Sequence, residues 1–287
     1  MLNKTNAPVI KKKVTKTWTN RYVRVFSRHP SHNVIRQKLL FKDLAVVRLG
    51  STTISSISKE VNSIKGVQNS ANKYLMKVQF DEHQVKTAPW FAGLSATGPN
   101  DMEAQLNTLS ENWEYPIVAK HIFGSRGTGN TLLRTKAEYD TWVQGKTLNR
   151  YIFERFYNFN REYRLHVTAD GCFYTCRKML KSDTPEDKRW FRNDSNSTWI
   201  IESNPQFDKP VNWNSIVEQS INALKAVGLD IGAVDLRIQS AKNGNGELRD
   251  NPEFIIVEIN SAPSFGEITA QKYSEQIPKI LKRKYGN

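Results

Sequence analysis

Two carboxylates and an amide in the last quarter of the chain have the types and spacing that suit a hard divalent cation. In Val234-Asp235-Leu236-Arg237-Ile238, apolar residues alternate with Asp235 and Arg237. In Ile255-Ile256-Val257-Glu258-Ile259-Asn260, period-two alternation puts Ile255, Val257 and Ile259 on one face and Glu258 and Asn260 on the other. The turn-rich connection Asn243-Gly244-Asn245-Gly246 makes the two strands antiparallel neighbours, so Asp235 and Glu258 can share a face. Two carboxylates and an amide oxygen would hold Mg²⁺ (or Mn²⁺) that is also bound by phosphates. The plain alternative is a pair of solvated strand faces.

A second constellation is Gly124-Ser125-Arg126-Gly127-Thr128-Gly129, between two strand candidates. Glycines there let backbone N–H groups turn toward an anion. Lys120, in the preceding strand, can reach a phosphate as a point charge. The Gly124-to-Gly129 spacing matches a P-loop, but Asn130 stands where that motif needs lysine and no helix opens there. Taken alone, the segment reads as an ordinary glycine-rich hairpin.

These groups must be positioned by regular elements. Strands are expected over 22–26, 44–49, 117–123, 131–134, 151–156, 233–239 and 254–260, with 162–169 and 172–179 as a hairpin around Asp170-Gly171. Helices are expected over 73–80 with Asn72 as N-cap, near 101–109, over 136–144, from about 216 to a stop at Gly228, and over 267–285, where Pro278 should break or kink the helix. Residues 1 to 18 read as a basic arm and 181–198 as a long polar loop.

The 287 residues are 38% hydrophobic and include seven Trp and thirteen Phe, enough apolar area for a packed protein and against disorder. No apolar run approaches the ~20 residues of a membrane span, and Lys11 to Lys13 are not followed by the apolar stretch of a secretory signal. Cys172 and Cys176 would lie roughly 13 Å apart in one strand, too far to bridge. Free thiols and the missing signal make the cytoplasm the expected compartment. Forty-two Lys and Arg against 28 Asp and Glu give a net charge of +14, which points to nucleotide phosphates, an acidic peptide or nucleic acid as partner, or to a solvated basic surface. Nucleic acid is compatible with that charge but not required by it.

In combination and order, these segments resemble the ATP-grasp family, most closely its ribosomal-protein glutamate ligase branch, over roughly residues 69 to 268. Asn72-Lys73 followed by Lys77 is similar to the first lysine element, and Pro116 to Lys120 with the glycine loop is similar to the second. Ile152 to Phe156 resembles the hinge strand whose backbone and acid contact adenine and ribose, although Phe153 replaces the usual Gln. Glu162-Tyr163-Arg164 resembles the acid-x-Arg strand, Arg177-Lys178 the basic pair, and Arg192-Asn193 the segment at the phosphate end of the nucleotide. Val234 to Leu236 and Val257 to Pro263 resemble the two Mg-binding strands.

The resemblance implies an α+β ATP-grasp fold, with two α/β lobes clamping the nucleotide after a short α/β N-terminal domain. The expected divisions are 1–72 (arm and pre-grasp domain), 73–155 (small lobe) and 156–287 (large lobe). It implies an ATP-dependent carboxylate–amine (or thiol) ligase working through an acyl phosphate, and the net charge of +14 points to an acidic or macromolecular substrate. Lys73, Lys120, Gly124, Ser125, Arg126, Gly127, Glu154 and Phe156 would bind ATP. Asp235, Glu258 and Asn260 would hold the metal, and Arg164, Arg177, Lys178, Arg192 and Asn193 would serve the chemistry. Competing readings are a nucleic-acid-binding module and a nucleotide switch on the same scaffold. A covalent-lysine nucleotidyltransferase is excluded, because no Lys-x-Asp-Gly motif occurs.

Overall fold

The computed structural model describes residues 23–27, 29–38, 44–93, 115–124 and 128–286. The basic arm, the helix expected near 101–109, and Ser125, Arg126 and Gly127 lie outside the described residues.

Three sheets organise the described residues. The first is parallel, β1 (Val23–Ser27), β2 (Ala45–Leu49) and β3 (Glu60–Val61) in that order. It packs on α1 (Asn33–Lys38) and on the C-terminal helix, called α6 here (Glu267–Tyr285). Val25, Ala45, Val47 and Leu49 share one core with Tyr273, Ile277, Ile280 and Leu281. Along that apolar seam α6 runs through Pro278 as one helix, so the proline does not break it. Tertiary burial of a helix face outweighs one lost backbone bond.

The second sheet has the order β4 (Trp90–Ala92), β7 (Tyr151–Arg155), β5 (Ile117–His121), β6 (Asn130–Leu133), all antiparallel. Phe91, Phe153 and Tyr139 of α4 (Lys136–Trp142) fill its core. The third sheet, also antiparallel, is β10 (Ser197–Ile201), β9 (Gly171–Leu180), β8 (Arg161–Thr168), β11 (Ile231–Ile238), β12 (Phe254–Asn260). Its inner face packs on α2 (Ile64–Ala71), α3 (Lys73–Glu82) and α5 (Trp213–Val227), joining Val67, Met76, Phe80, Ile216, Leu224, Leu236 and Ile256 in the largest core. Thus α3, expected to open the small lobe, packs its apolar side into the core of the large sheet. Among the described residues no helix is long and apolar enough to cross a membrane.

Several described elements were not anticipated: α1, β3, α2 and β4 had no assignment, and β10 begins inside the stretch read as loop. Ser63 caps α2 by accepting from Gly66 N at 2.9 Å. Its glycine lets the helix lie on the end of α5: a Cβ at Gly66 would meet the Gly228 carbonyl oxygen at 2.2 Å. Backbone cannot yield cheaply, so Gly66→Ala should lower the unfolding free energy by about 3 kcal/mol. Urea denaturation of the two proteins measures this, and unchanged stability would mean that the two helices separate freely.

Candidate active site

The second and third sheets face each other across a cleft of about 1260 Å³, closed at one end by α2, α3 and the segment after β12. Each polar side chain reaches it by strand alternation. On β5 and β7, the register pairs Val118 with Glu154 and Lys120 with Ile152, so Lys120 and Glu154 are diagonal neighbours on the cleft side. On the third sheet, Arg164 lies opposite Asp235, and Asp235 opposite Glu258. A bulge follows Asp235 and changes the phase of β12. It turns Ile256 and Ile259 into the core and leaves Ile255 and Val257 on the cleft with Glu258 and Asn260, correcting the simple alternation expected for this strand.

The acidic centre is tightly tied. Arg164 donates to both oxygens of Asp235, Nε to Oδ1 at 2.6 Å and Nη2 to Oδ2 at 2.8 Å. The Asn260 amide bridges Asp235 Oδ2 (3.3 Å) and Glu258 Oε1 (3.1 Å). Lys73 Nζ lies 3.9 Å from Glu258 Oε2 and donates to the carbonyl of Gly124, fastening the start of α3 to the glycine loop. A Cβ at Gly124 would stand 2.4 Å from the Thr128 carbonyl oxygen, so Gly124 and Thr128 approach closely. Burial would raise the Glu258 carboxyl, but Lys73 first, then the Asn260 hydrogen bond, Lys120 and Arg164 hold it below its ordinary value. At Asp235 burial wins over Arg164 and the carboxyl is raised, with Glu258 and Glu162 adding to the effect.

Among the described residues no cluster of three His, Cys, Asp or Glu forms a metal centre by itself. Mg²⁺ fits the set present, however. Two carboxylates and an amide converge within one hydrogen-bond network, and all can offer hard oxygens. A cation there would share Asp235 with Arg164 and take its remaining ligands from phosphates.

Lys120, Gly124, Phe156, Lys73, Arg164, Lys178, Arg192, Asn193, Asp235, Glu258 and Asn260 all line the cleft, and Glu154 does too. One assignment needs correction, that of Arg177; Glu154, which the motif gives to ribose, is paired in this structure. It is 4% exposed, with Lys120 Nζ at 2.7 Å from one oxygen and Lys77 Nζ at 3.3 Å from the other. Burial would raise its carboxyl, and the two lysines more than reverse that. Arg177 is not in the cleft. Consecutive residues of β9 point to opposite faces, so Lys178 enters and Arg177 leaves, donating to the carbonyl of Gln206 at 2.6 Å and lying over the Tyr163 ring.

The remaining wall is braced by hydrogen bonds. Lys178 donates to the Arg192 carbonyl at 2.9 Å, and Arg192 Nη2 donates to the Asn160 carbonyl at 2.6 Å. Burial lowers Arg192 to about 10, with Arg237 and Arg177 acting in the same direction against Glu162. The Asn193 side-chain oxygen accepts from Ser195 N and Asn196 N and shapes the turn. Residues outside the expected site set also line or support the site. Trp199 on β10 lies under the Arg164 guanidinium (4.7 Å) and the Lys178 ammonium (4.9 Å). Arg237 Nε donates to Glu162 Oε2 at 3.1 Å. Lys77 sits one helical turn after Lys73, a spacing visible in the sequence.

His166 donates to or accepts from Tyr273 at 3.1 Å, and burial, with Arg164 nearby, pushes it down to about 3; it is a neutral core histidine. Burial pushes the Cys172 thiol up to about 12, which leaves it unreactive.

Three sheets in this order, with the cleft between the second and third, define the ATP-grasp fold. Solved structures bear this out. The D-alanine–D-alanine ligase from Bacillus anthracis superposes with a TM-score of 0.57 at 12% identity, over 92% of this chain and 95% of that one. The carboxyaminoimidazole ribonucleotide synthase from Aspergillus clavatus, complexed with ATP, gives 0.59 at 15% identity over 83% and 60%. The N5-carboxyaminoimidazole synthetase from Staphylococcus aureus, complexed with ADP, gives 0.56 at 15% over 83% and 60%. No protein-family model matches the chain, and no curated protein is significantly similar.

Proposed function

We propose that this protein is an ATP-dependent carboxylate–amine ligase that activates its carboxylate as an acyl phosphate and releases ADP and phosphate. One observation carries the reading: Lys73, Lys120, Arg164, Asp235, Glu258 and Asn260, far apart in sequence, converge on one cleft. The divisions near 72 and 155, the small and large lobes, belong to the same proposal, as does membership of the ribosomal-protein glutamate ligase branch. The ligase and synthase names of the structural neighbours agree with it.

The chemical problem is an anion attacking an anion. Lys73 and Lys120 supply charge for the inner phosphates, and the loop carrying Gly124 covers them and excludes water. Magnesium, when bound by Asp235, Glu258 and Asn260, would supply charge neutralisation at the outer phosphates. Arg164 presents a guanidinium fixed on two sides, by Asp235 and by the Trp199 face, where it can steady the acyl phosphate and the later oxyanion. Lys178 and Arg192 extend the positive wall toward an acidic carboxylate substrate or one carried on a larger anionic molecule.

The products test this. With a panel of acidic amino acids and peptides as carboxylate and amine, chromatography should find ADP and phosphate, because the charge is placed to expose the γ-phosphorus. Stoichiometric AMP would overturn the mechanism. ATP binding without turnover under any acceptor would leave a nucleotide switch.

A further inference from the structure

Lys77 is a lysine with no exposed surface, one turn along α3 from Lys73 and outside the cleft lining. Its ammonium donates to the Thr87 hydroxyl and lies 3.3 Å from Glu154 Oε1. The Thr87 hydroxyl in turn donates to the Ile256 carbonyl of β12 at 2.8 Å. Glu154 is already paired with Lys120 through its other oxygen, at 2.7 Å. One buried carboxylate therefore serves two ammonium groups, and the cluster carries one positive charge more than pairing requires. Burying a charge is costly unless it is matched, so a surplus one needs a reason. A Lys120–Glu154 pair alone would be neutral and would hold Lys120 away from any phosphate.

We propose that Lys77 is a positioning residue for nucleotide binding: its charge takes a share of Glu154, loosens the Glu154–Lys120 pair, and lets Lys120 turn to a phosphate. This rests on the reading that the cleft binds ATP through Lys120. As Lys120 moves to the phosphate, Glu154 is left to Lys77, and the pair that remains buried is neutral. With Lys77 uncharged, Lys120 would have to leave Glu154 unpaired in a buried site, and binding would weaken.

The groups facing Lys77 are Glu154 from β7, Lys120 from β5, the Thr87 hydroxyl from the segment before β4, and Asp81 on its own helix. Burial lowers Lys77 to about 8; Glu154 and Asp81 oppose this and Lys120 adds to it. The sign follows. A nucleotide that favours charged Lys77 takes up a proton when it binds above that pH, and its affinity falls as pH rises.

The test is calorimetric binding of ATP and ADP to the full chain between about pH 7 and about pH 9.5, where the phosphates are already ionised. In the wild type, affinity should fall about tenfold with a midpoint near 8, with proton uptake revealed by buffers of different ionisation enthalpy. Lys77→Met, of similar length, should bind weakly at every pH with no midpoint. Lys77→Arg, which keeps its charge, should recover the affinity and hold it into the alkaline range. If Lys77→Met does not fold, the wild-type and Lys77→Arg profiles still decide. ATP binding that Lys120→Ala weakens, but that is flat with pH in the wild type and unaltered by Lys77→Met, would overturn this inference alone. Absence of ATP binding at every pH would overturn the ligase reading and this inference with it.

Discussion

Glu258→Gln is expected to lower ATP turnover by about a hundredfold or more, with the fold unchanged. The substitution keeps the volume, the strand and an oxygen for the Asn260 amide, and removes one charge. That charge is present at neutral pH, because Lys73, the Asn260 hydrogen bond and the more distant Lys120 and Arg164 overcome the effect of burial on Glu258. The loss should therefore be the same across neutral and alkaline pH, and should merge with wild-type behaviour only in acid, where the carboxylate itself protonates. Asp235→Asn should be as damaging for a second reason: it also frees the Arg164 guanidinium that Asp235 now holds at 2.6 and 2.8 Å. The two effects should not add, since both residues join one network through Asn260. ADP release as a function of Mg²⁺ and Mn²⁺ concentration, with thermal melting as the check on folding, measures both. Full turnover in Glu258→Gln would make this strand face merely a solvated one.

Much of that site was legible because its parts are local. Asn72 as the cap of α3 is a side-chain property, and the structure has its oxygen accepting from Tyr74 N at 2.9 Å and Leu75 N at 3.2 Å. The turn at Asp170-Gly171 and the pairing of β11 with β12 follow from turn chemistry and short separation. Residues 254–260 form a strand with the expected ends. What escaped depends on partners distant in sequence. The α2 helix, Ile-Lys-Gly-Val-Gln-Asn-Ser-Ala, has poor helix formers and a central glycine, and it is stabilised by the Ser63 cap and by contact with α5. The β10 strand is an edge, exposed over much of its length; its Thr-Trp-Ile-Ile run has strand-forming residues, but the polar stretch before it hides where the strand begins. The bulge after Asp235 has no turn residue to announce it. The Arg164–Asp235 clamp joins residues 71 apart and needs the register of β8 on β11, which no local pattern supplies. Likewise Glu154 resembles a ribose contact by its place in a motif, while the burial of Lys77 and Lys120 around it appears only when α3 packs behind the small sheet.

The clamp makes Arg164 the position where charge and geometry can be separated. Arg164→Lys keeps the cation but cannot make two parallel bonds to a carboxylate or spread its charge flat against an indole. If the residue only neutralised Asp235, lysine would serve nearly as well. If it must also present a planar, immobile donor pair to an acyl phosphate and then to an oxyanion, lysine should cost about a hundredfold in kcat, with little change in the concentration of ATP required. Arg164→Met should be worse and should also destabilise the protein, by about 3 kcal/mol, because it leaves the Asp235 carboxylate buried with no cation beside it. That penalty has a pH sign. Asp235 already has a carboxyl raised by burial. Without Arg164 it is raised further, so the unfolded chain ionises first and stability falls as pH rises through the unfolded carboxyl value toward the folded one. Arg164→Met should thus recover part of its stability in mild acid, where a neutral Asp235 is tolerated. Trp199 gives an independent signal: its ring lies 4.7 Å from the guanidinium carbon, and its fluorescence should change when that cation is shortened or removed. Melting curves between neutral and mildly acid pH, tryptophan emission and single-turnover ADP formation together separate the two roles. Wild-type kcat in Arg164→Lys, with only the fluorescence altered, would reduce Arg164 to a structural partner of Asp235 and move the search for the oxyanion donor to Lys178 and Arg192 along the same wall.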